Sequence, residues 1–140
     1  MKTRFSSLVK LKKNTMDKSE RVVQKANADL NSAAMALEIS YQSIQDITTP
    51  QSGSMKDFIA NRTLLSSGRG LIKHNHEWVG FAQDQVSQAK EKLKLDMIEH
   101  EKFKYLELQE IEKEIKKIKL QEMKDLDEVA LMTHAQKEKK

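Results

Sequence analysis

An apolar residue recurs at every seventh position along the first third of the chain: Val9, Met16, Val23, Leu30, Leu37 and Ile44. Seven residues make two slightly underwound helical turns, so a strict period of seven returns to one face and forms the seam of a coiled coil. Neither Pro nor Gly interrupts the run. A helix this long, against an average of about 11–12 residues in globular proteins, has to lie along another helix. The alternate seam row reads Phe5, Lys12, Ser19, Ala26, Ala33, Ser40 and Ile47. Its small middle lets two helices approach closely, and Lys12 is a polar interruption of the kind that specifies register.

The clear break is Thr48-Thr49-Pro50-Gln51-Ser52-Gly53-Ser54, where Pro removes a backbone donor and Gly can take positive φ. A softer break is Ser66-Ser67-Gly68-Arg69-Gly70. Between them Met55, Phe58, Ile59 and Leu65 give a short helical face, with Ser54 and Asp57 as a variant capping box. The heptad then resumes at Ile72, Val79, Val86 and Leu93, with Ala82 and Ala89 between. Leu108, Ile111, Ile115 and Ile118 continue it one residue late, which reads as a change of register near His100 and Phe103. The expected fold is all-α: an antiparallel two-helix coiled-coil hairpin with a short helical segment at the tip. It forms a single coiled-coil domain over 1–140, with helices at about 3–48 and 71–136, a tip at about 49–70 and the short helix at about 55–65. The second helix outruns the first, so Leu126 and Val129 lack an intrachain partner.

Composition narrows the function. Charged residues are 33% and aromatics 5%, with four Gly and one Pro, the profile of long helices with solvated flanks. There is no Cys, hence neither a disulfide framework nor a thiolate metal site. His74 and His76 are two apart and cannot share an ion from one helix, so all four histidines read as surface residues. Ser67-Gly68-Arg69-Gly70 lacks the spacing and Lys of a phosphate loop, and no nucleophile–base pair is visible. The chain is expected to be a non-enzyme without a cofactor. No stretch has the roughly 18 apolar residues of a membrane span, and the opening lacks a signal-length apolar block, which points to the cytoplasm. Residues 1–25 carry eight basic side chains against two acidic, whereas residues 91–140 carry twelve Lys and thirteen Asp or Glu. The basic end suits an acidic protein partner; the aromatic–basic interleaving of single-strand binders is missing, so nucleic acid is not expected. Tyr41, Phe58, Trp78 and Phe81 fall near the tip, where a thin hairpin has little room to bury rings.

Three stretches carry a family likeness: the opening Phe5-x-x-Leu8-x-x-Leu11-Lys12-Lys13, the segment Ala89-Lys90-Glu91-Lys92-Leu93-Lys94, and the tail Glu122-Met123-Lys124-Asp125-Leu126-Asp127-Glu128-Val129-Ala130. With the length and the central break, the chain resembles the FliJ family of flagellar type III export proteins. Thr133-His134-Ala135 departs from the aromatic–Arg pattern of many members. The resemblance implies a stalk-like coiled coil that binds the hexameric ring of the export ATPase FliI and promotes its activity. It also implies contact with the cytoplasmic domain of the export gate protein FlhA and with export chaperones, at the cytoplasmic face of the inner membrane. On that reading Arg4, Lys10, Lys12, Lys13, Leu126 and Val129 meet the ATPase ring, and Tyr41, Phe58 and Leu65 meet the gate. A generic scaffold coiled coil is the alternative, and the Pro50 break argues against it.

Overall fold

The computed structural model describes residues 2–138, all of them helix or connecting turn. Two long helices pack against each other: α1 (Ser6–Gln45) and α2 (Met55–Glu138). Local chemistry sets three of the four ends. The backbone N–H groups of Thr3 and Phe5 bond the hydroxyls of Ser6 and Thr3 at 2.8 and 3.2 Å, which satisfies amides at the entry to α1. Past Gln45 the chain turns through Pro50 and Gly53, and Gly53 sits at φ 144°, a region closed to other residues. Ser54 then caps α2: its hydroxyl accepts the Asp57 N–H at 3.4 Å while the Asp57 carboxylate accepts the Ser54 N–H at 3.4 Å. Asp57 also places negative charge in the first turn, where the helix dipole favours it. Asn61 ties the connection back by donating to the Thr48 carbonyl at 2.8 Å.

The expected second break does not occur. α2 runs unbroken from Met55, so residues 55–65 are its first turns rather than a separate helix. Gly68 is there for packing instead. A Cβ on Gly68 would lie 2.7 Å from Ile44 Cγ1, so only Gly lets the helices close at that level. Gly70 has open space around it and could carry a side chain.

The chain divides into two compact units, residues 16–96 and residues 1–15 with 97–140, and both helices contribute to each. In the 16–96 unit the helices are antiparallel. Ser19 meets Asp96, Ser40 meets Asn75, and Ile44 meets Gly68, so backward steps along α1 match forward steps along α2. The deepest row is the small one: Ser19, Ala26, Ala33 and Ser40 are buried, facing Asn75, Ala82, Val86 and Ala89. The larger row, including Val23, Leu30 and Leu37, is only partly buried and flanks this centre. Ala26, Val86 and Ala89 form the core, with Val23 and Leu30 against it.

Two polar layers interrupt that seam. The Asn75 amide donates to the Ala36 carbonyl at 3.2 Å and to the Ser40 hydroxyl, which itself donates to Ala36 O at 2.7 Å. Ser19 donates to Asp96, whose carboxylate also holds Lys92 at 3.1 Å. Every buried polar side-chain atom among the described residues is satisfied, so these layers avoid the cost of orphaned buried groups.

The unit of residues 1–15 and 97–140 has a more polar seam. His100 is buried, contrary to its expected surface position. Phe5, Val9, Lys12, Phe103, Leu106, Glu107, Glu110 and Ile111 are partly buried. Lys12 does not disturb this seam, because its ammonium lies 3.7 Å from Glu99 and 5.6 Å above the Phe103 ring. Arg4 reaches Glu110 at 3.6 Å. The packed face of α2 thus keeps the spacing His100, Phe103, Glu107, Glu110 without the expected register change. The apolar row starting at Leu108 is rotated about 100° from it, one residue's turn of an α-helix, and Leu108, Ile115 and Ile118 stay exposed.

Candidate functional site

From residue 112 to residue 138 every residue of α2 is exposed. The segment is helical nonetheless, and it is not short of large apolar side chains. Ile115, Ile118, Val129 and Met132 fall on one row of alternating steps of three and four, a stripe of coiled-coil type whose middle positions hold Glu122 and Asp125. Leu126 borders the same stripe; with Glu122, Asp125 and Val129 it lines an open surface concavity of about 360 Å³. Leu126 is 68% exposed and Val129 58%. Isolated helices gain most of their stability in proteins from packing an apolar face. An uncovered face of this length is therefore the feature of the molecule that most calls for a partner.

The expected basic contact residues separate into two kinds. Lys10 and Lys13 are exposed on α1. Arg4 and Lys12 already face Glu110 and Glu99 across their own unit. A second concavity, of about 390 Å³, opens beside them between Lys2, Thr3, Arg4, Glu110, Glu114 and Ile118. Its basic groups, Lys2 and Arg4, come from the opening of the chain and its acidic ones, Glu110 and Glu114, from α2.

In the 16–96 unit the exposed rings lie on the helices rather than in the turn. Tyr41 is near the end of α1, and Phe58 is in the first turns of α2; both are exposed, while Leu65 is partly buried. Trp78 and Phe81 are exposed one turn apart on α2, with His74 and Glu77 around the same shallow concavity. Residues 74, 78 and 81 are spaced by four and three, so they share one face, and Leu71 extends it. Of the residues that the sequence assigns to one contact, Tyr41 lies on α1 and Phe58 and Leu65 on α2. The spacing of Leu71, His74, Trp78 and Phe81 is the signal that gathers the α2 face.

Among the described residues no group of three or more His, Cys, Asp or Glu could hold a metal ion. No helix among the described residues is long and apolar enough to cross a membrane. His134 pairs with Glu138 at 2.9 Å along one helix face.

A family model described as the flagellar FliJ protein matches residues 1–139. No curated protein and no solved structure matches the chain.

Proposed function

The chain belongs to the flagellar FliJ protein family, a non-enzymatic coiled-coil component of flagellar protein export, and from that premise we propose that it acts as a stalk for the export ATPase. The observation that carries this reading is the uncovered helical segment 112–138. Its large apolar side chains have no intrachain cover and its surface is otherwise charged, which suits insertion into a preformed ring. In this reading the FliI hexamer receives Leu126 and Val129 together with the exposed Lys10 and Lys13, and its ATP turnover rises when they dock. Arg4 and Lys12 act indirectly, by holding the opening of α1 on α2 through Glu110 and Glu99.

The exposed rings of the 16–96 unit are then available for the export gate. Tyr41, Phe58 and Leu65 meet the cytoplasmic domain of FlhA, and the Trp78–Phe81 face supports the same contact or receives export chaperones. The protein works at the cytoplasmic face of the inner membrane through these partners. Aromatic side chains are the commonest anchors of such interfaces.

The test is ATP hydrolysis by purified FliI with and without the chain. Stimulation by the native chain, and its loss when Leu126 and Val129 are changed to Asp, is the expected result. Absence of any stimulation would remove the stalk reading. Stimulation that survives both changes would move the ring contact away from the end of α2.

A further inference from the structure

The back of α1 in the 16–96 unit is built unlike the other outward faces of the molecule. Between Ala26 and Gln45 the only charged residues are Asp29 and Glu38, in a chain that is 33% charged. The face opposite the seam reads Ala28, Ser32, Met35, Ile39 and Gln42, all exposed and spaced by four and three. That is a second heptad stripe. Met35 is 63% exposed and Ile39 59%, so α2 covers neither.

The stripe is asymmetric along its length. Its first half is small (Ala28, Ser32) and its second half large (Ile39, Gln42), with Met35 at the centre. Lys25 stands just before it and Asp46 just after it, both exposed. Asp46 remains on the last turn of α1, its N–H bonded to the Gln42 carbonyl at 3.0 Å. The last turn of α1 contains no basic residue, so a carboxylate sits at the negative end of the helix dipole, where a cation is favoured instead.

We propose that this stripe is the contact surface for a second copy of the same chain, with the two α1 helices antiparallel about a two-fold axis near Met35. An axis there places Met35 on its own copy, Ser32 against Ile39, Ala28 against Gln42 and Lys25 against Asp46, each twice. Small faces large on both sides of the Met35 layer, and Lys25 of the other copy brings a cation to Asp46. A parallel pairing is excluded by the same residues. It sets Lys25 on Lys25 and Asp46 on Asp46, and leaves the Ala28 and Ser32 layers empty. A two-fold arrangement is also the common form of self-association, since one self-complementary patch serves both copies. A single helix pair of about 33 Å, at 1.5 Å per residue, lies at the small, transient end of interface sizes. The dimer therefore exchanges with monomer at moderate concentration. The proposal stands independently of the ATPase reading.

The test uses the full chain, which has no cysteine of its own. Met35→Cys should give a disulfide-linked dimer under mild oxidation, and Asp84→Cys, on the exposed face of α2, should not. Sedimentation equilibrium should then show the association constant falling about tenfold for Lys25→Asp or Asp46→Lys, as two ion pairs become two repulsions. The double exchange Lys25→Asp with Asp46→Lys should restore it, with helicity by circular dichroism unchanged throughout. The proposal is overturned if Met35→Cys crosslinks no better than Asp84→Cys. It is equally overturned if the double exchange fails to recover what the single changes lose.

Discussion

Two stretches of α2 carry heptads and meet opposite fates. Between Gly68 and Leu93 the packed positions include Gly68, Asn75, Ala82, Val86 and Ala89, and Asn75, Ala82, Val86 and Ala89 are buried. Between residues 112 and 138 the heptad positions hold larger side chains, Ile115, Ile118, Val129 and Met132, and nothing is buried. Ile72, Val79 and Leu93 of the first stretch are large and partly buried, so what separates the two is cover: Arg4 is level with Glu110, and the second stretch runs past the start of α1. Small residues allow helix backbones to close on each other within one chain, and close approach is what excludes water. Large aliphatic residues on an unpaired helix gain nothing until another surface arrives. The heptad alone marks where a helix wants a neighbour, and the relative lengths of the two helices tell whether the neighbour is already in the chain.

The sharpest way to break this contrast is to put a charge into the tight seam. Ala33 has no exposed surface, so Ala33→Asp should cost about 3–5 kcal/mol, the scale of an uncompensated buried charge. A chemical denaturation midpoint that stays put would show that the small row is not the centre of the packing. Next in size is a pair of opposite signs two residues apart. Gly68→Ala must push Ile44 aside and should destabilise by about 1–2 kcal/mol, whereas Gly70→Ala, in open space, should stabilise by up to about 1 kcal/mol through helix propensity. Thermal melts of both variants check this, and equal shifts of one sign would refute the close approach at Gly68.

The contrast is sharpened from the other side by Ile115→Ala together with Ile118→Ala. Both side chains are exposed, so stability should move by no more than about 0.5 kcal/mol while stimulation of the ATPase falls. A marked loss of stability instead would mean that this stripe is covered in the free protein. The smallest effect is expected at Arg4. Its side chain is 73% exposed although it pairs with Glu110, and surface pairs are worth about 0–1 kcal/mol. Arg4→Ala should leave the melt nearly unchanged in high salt, where such pairs are screened.

Much of this was legible in the residues. The two heptad tracts, the break at Pro50, the Ser54–Asp57 cap and the uncovered Leu126 and Val129 all follow from spacing and turn chemistry. What was not legible depends on the partner helix. Gly68 reads as a breaker in sequence because its reason, the Ile44 side chain opposite, is on the other helix. Asn75 lies between two more conspicuous histidines, and only the Ser40 hydroxyl and the Ala36 carbonyl across the seam give its amide a purpose. The apolar row from Leu108 suggests a moved register, but the pairs Lys12–Glu99 and Arg4–Glu110 hold α2 on its earlier face, and polar residues occupy a seam that hydrophobicity alone would not have chosen. For the candidate contact residues, Tyr41, Phe58, Leu126 and Val129 are exposed while Leu65 is partly buried, and sequence could not foresee that two of the four basic ones already had carboxylates beside them.

The polar layers of the 16–96 unit have a consequence for folding accuracy. A seam built from repeated small residues is nearly degenerate to sliding: shift one helix by a heptad and Ala meets Ala again at little cost. Ser40 and Ser19 are three heptads apart on α1, and their partners Asn75 and Asp96 are three heptads apart on α2. A slip of one heptad, in either direction, takes the Ser40 hydroxyl from Asn75 and the Ser19 hydroxyl from Asp96, and sets Ala33 or Ile47 against the one and Lys12 or Ala26 against the other. The two layers work as a vernier: slipped alignments that apolar contact would tolerate lose both marks at once, and one alignment keeps both.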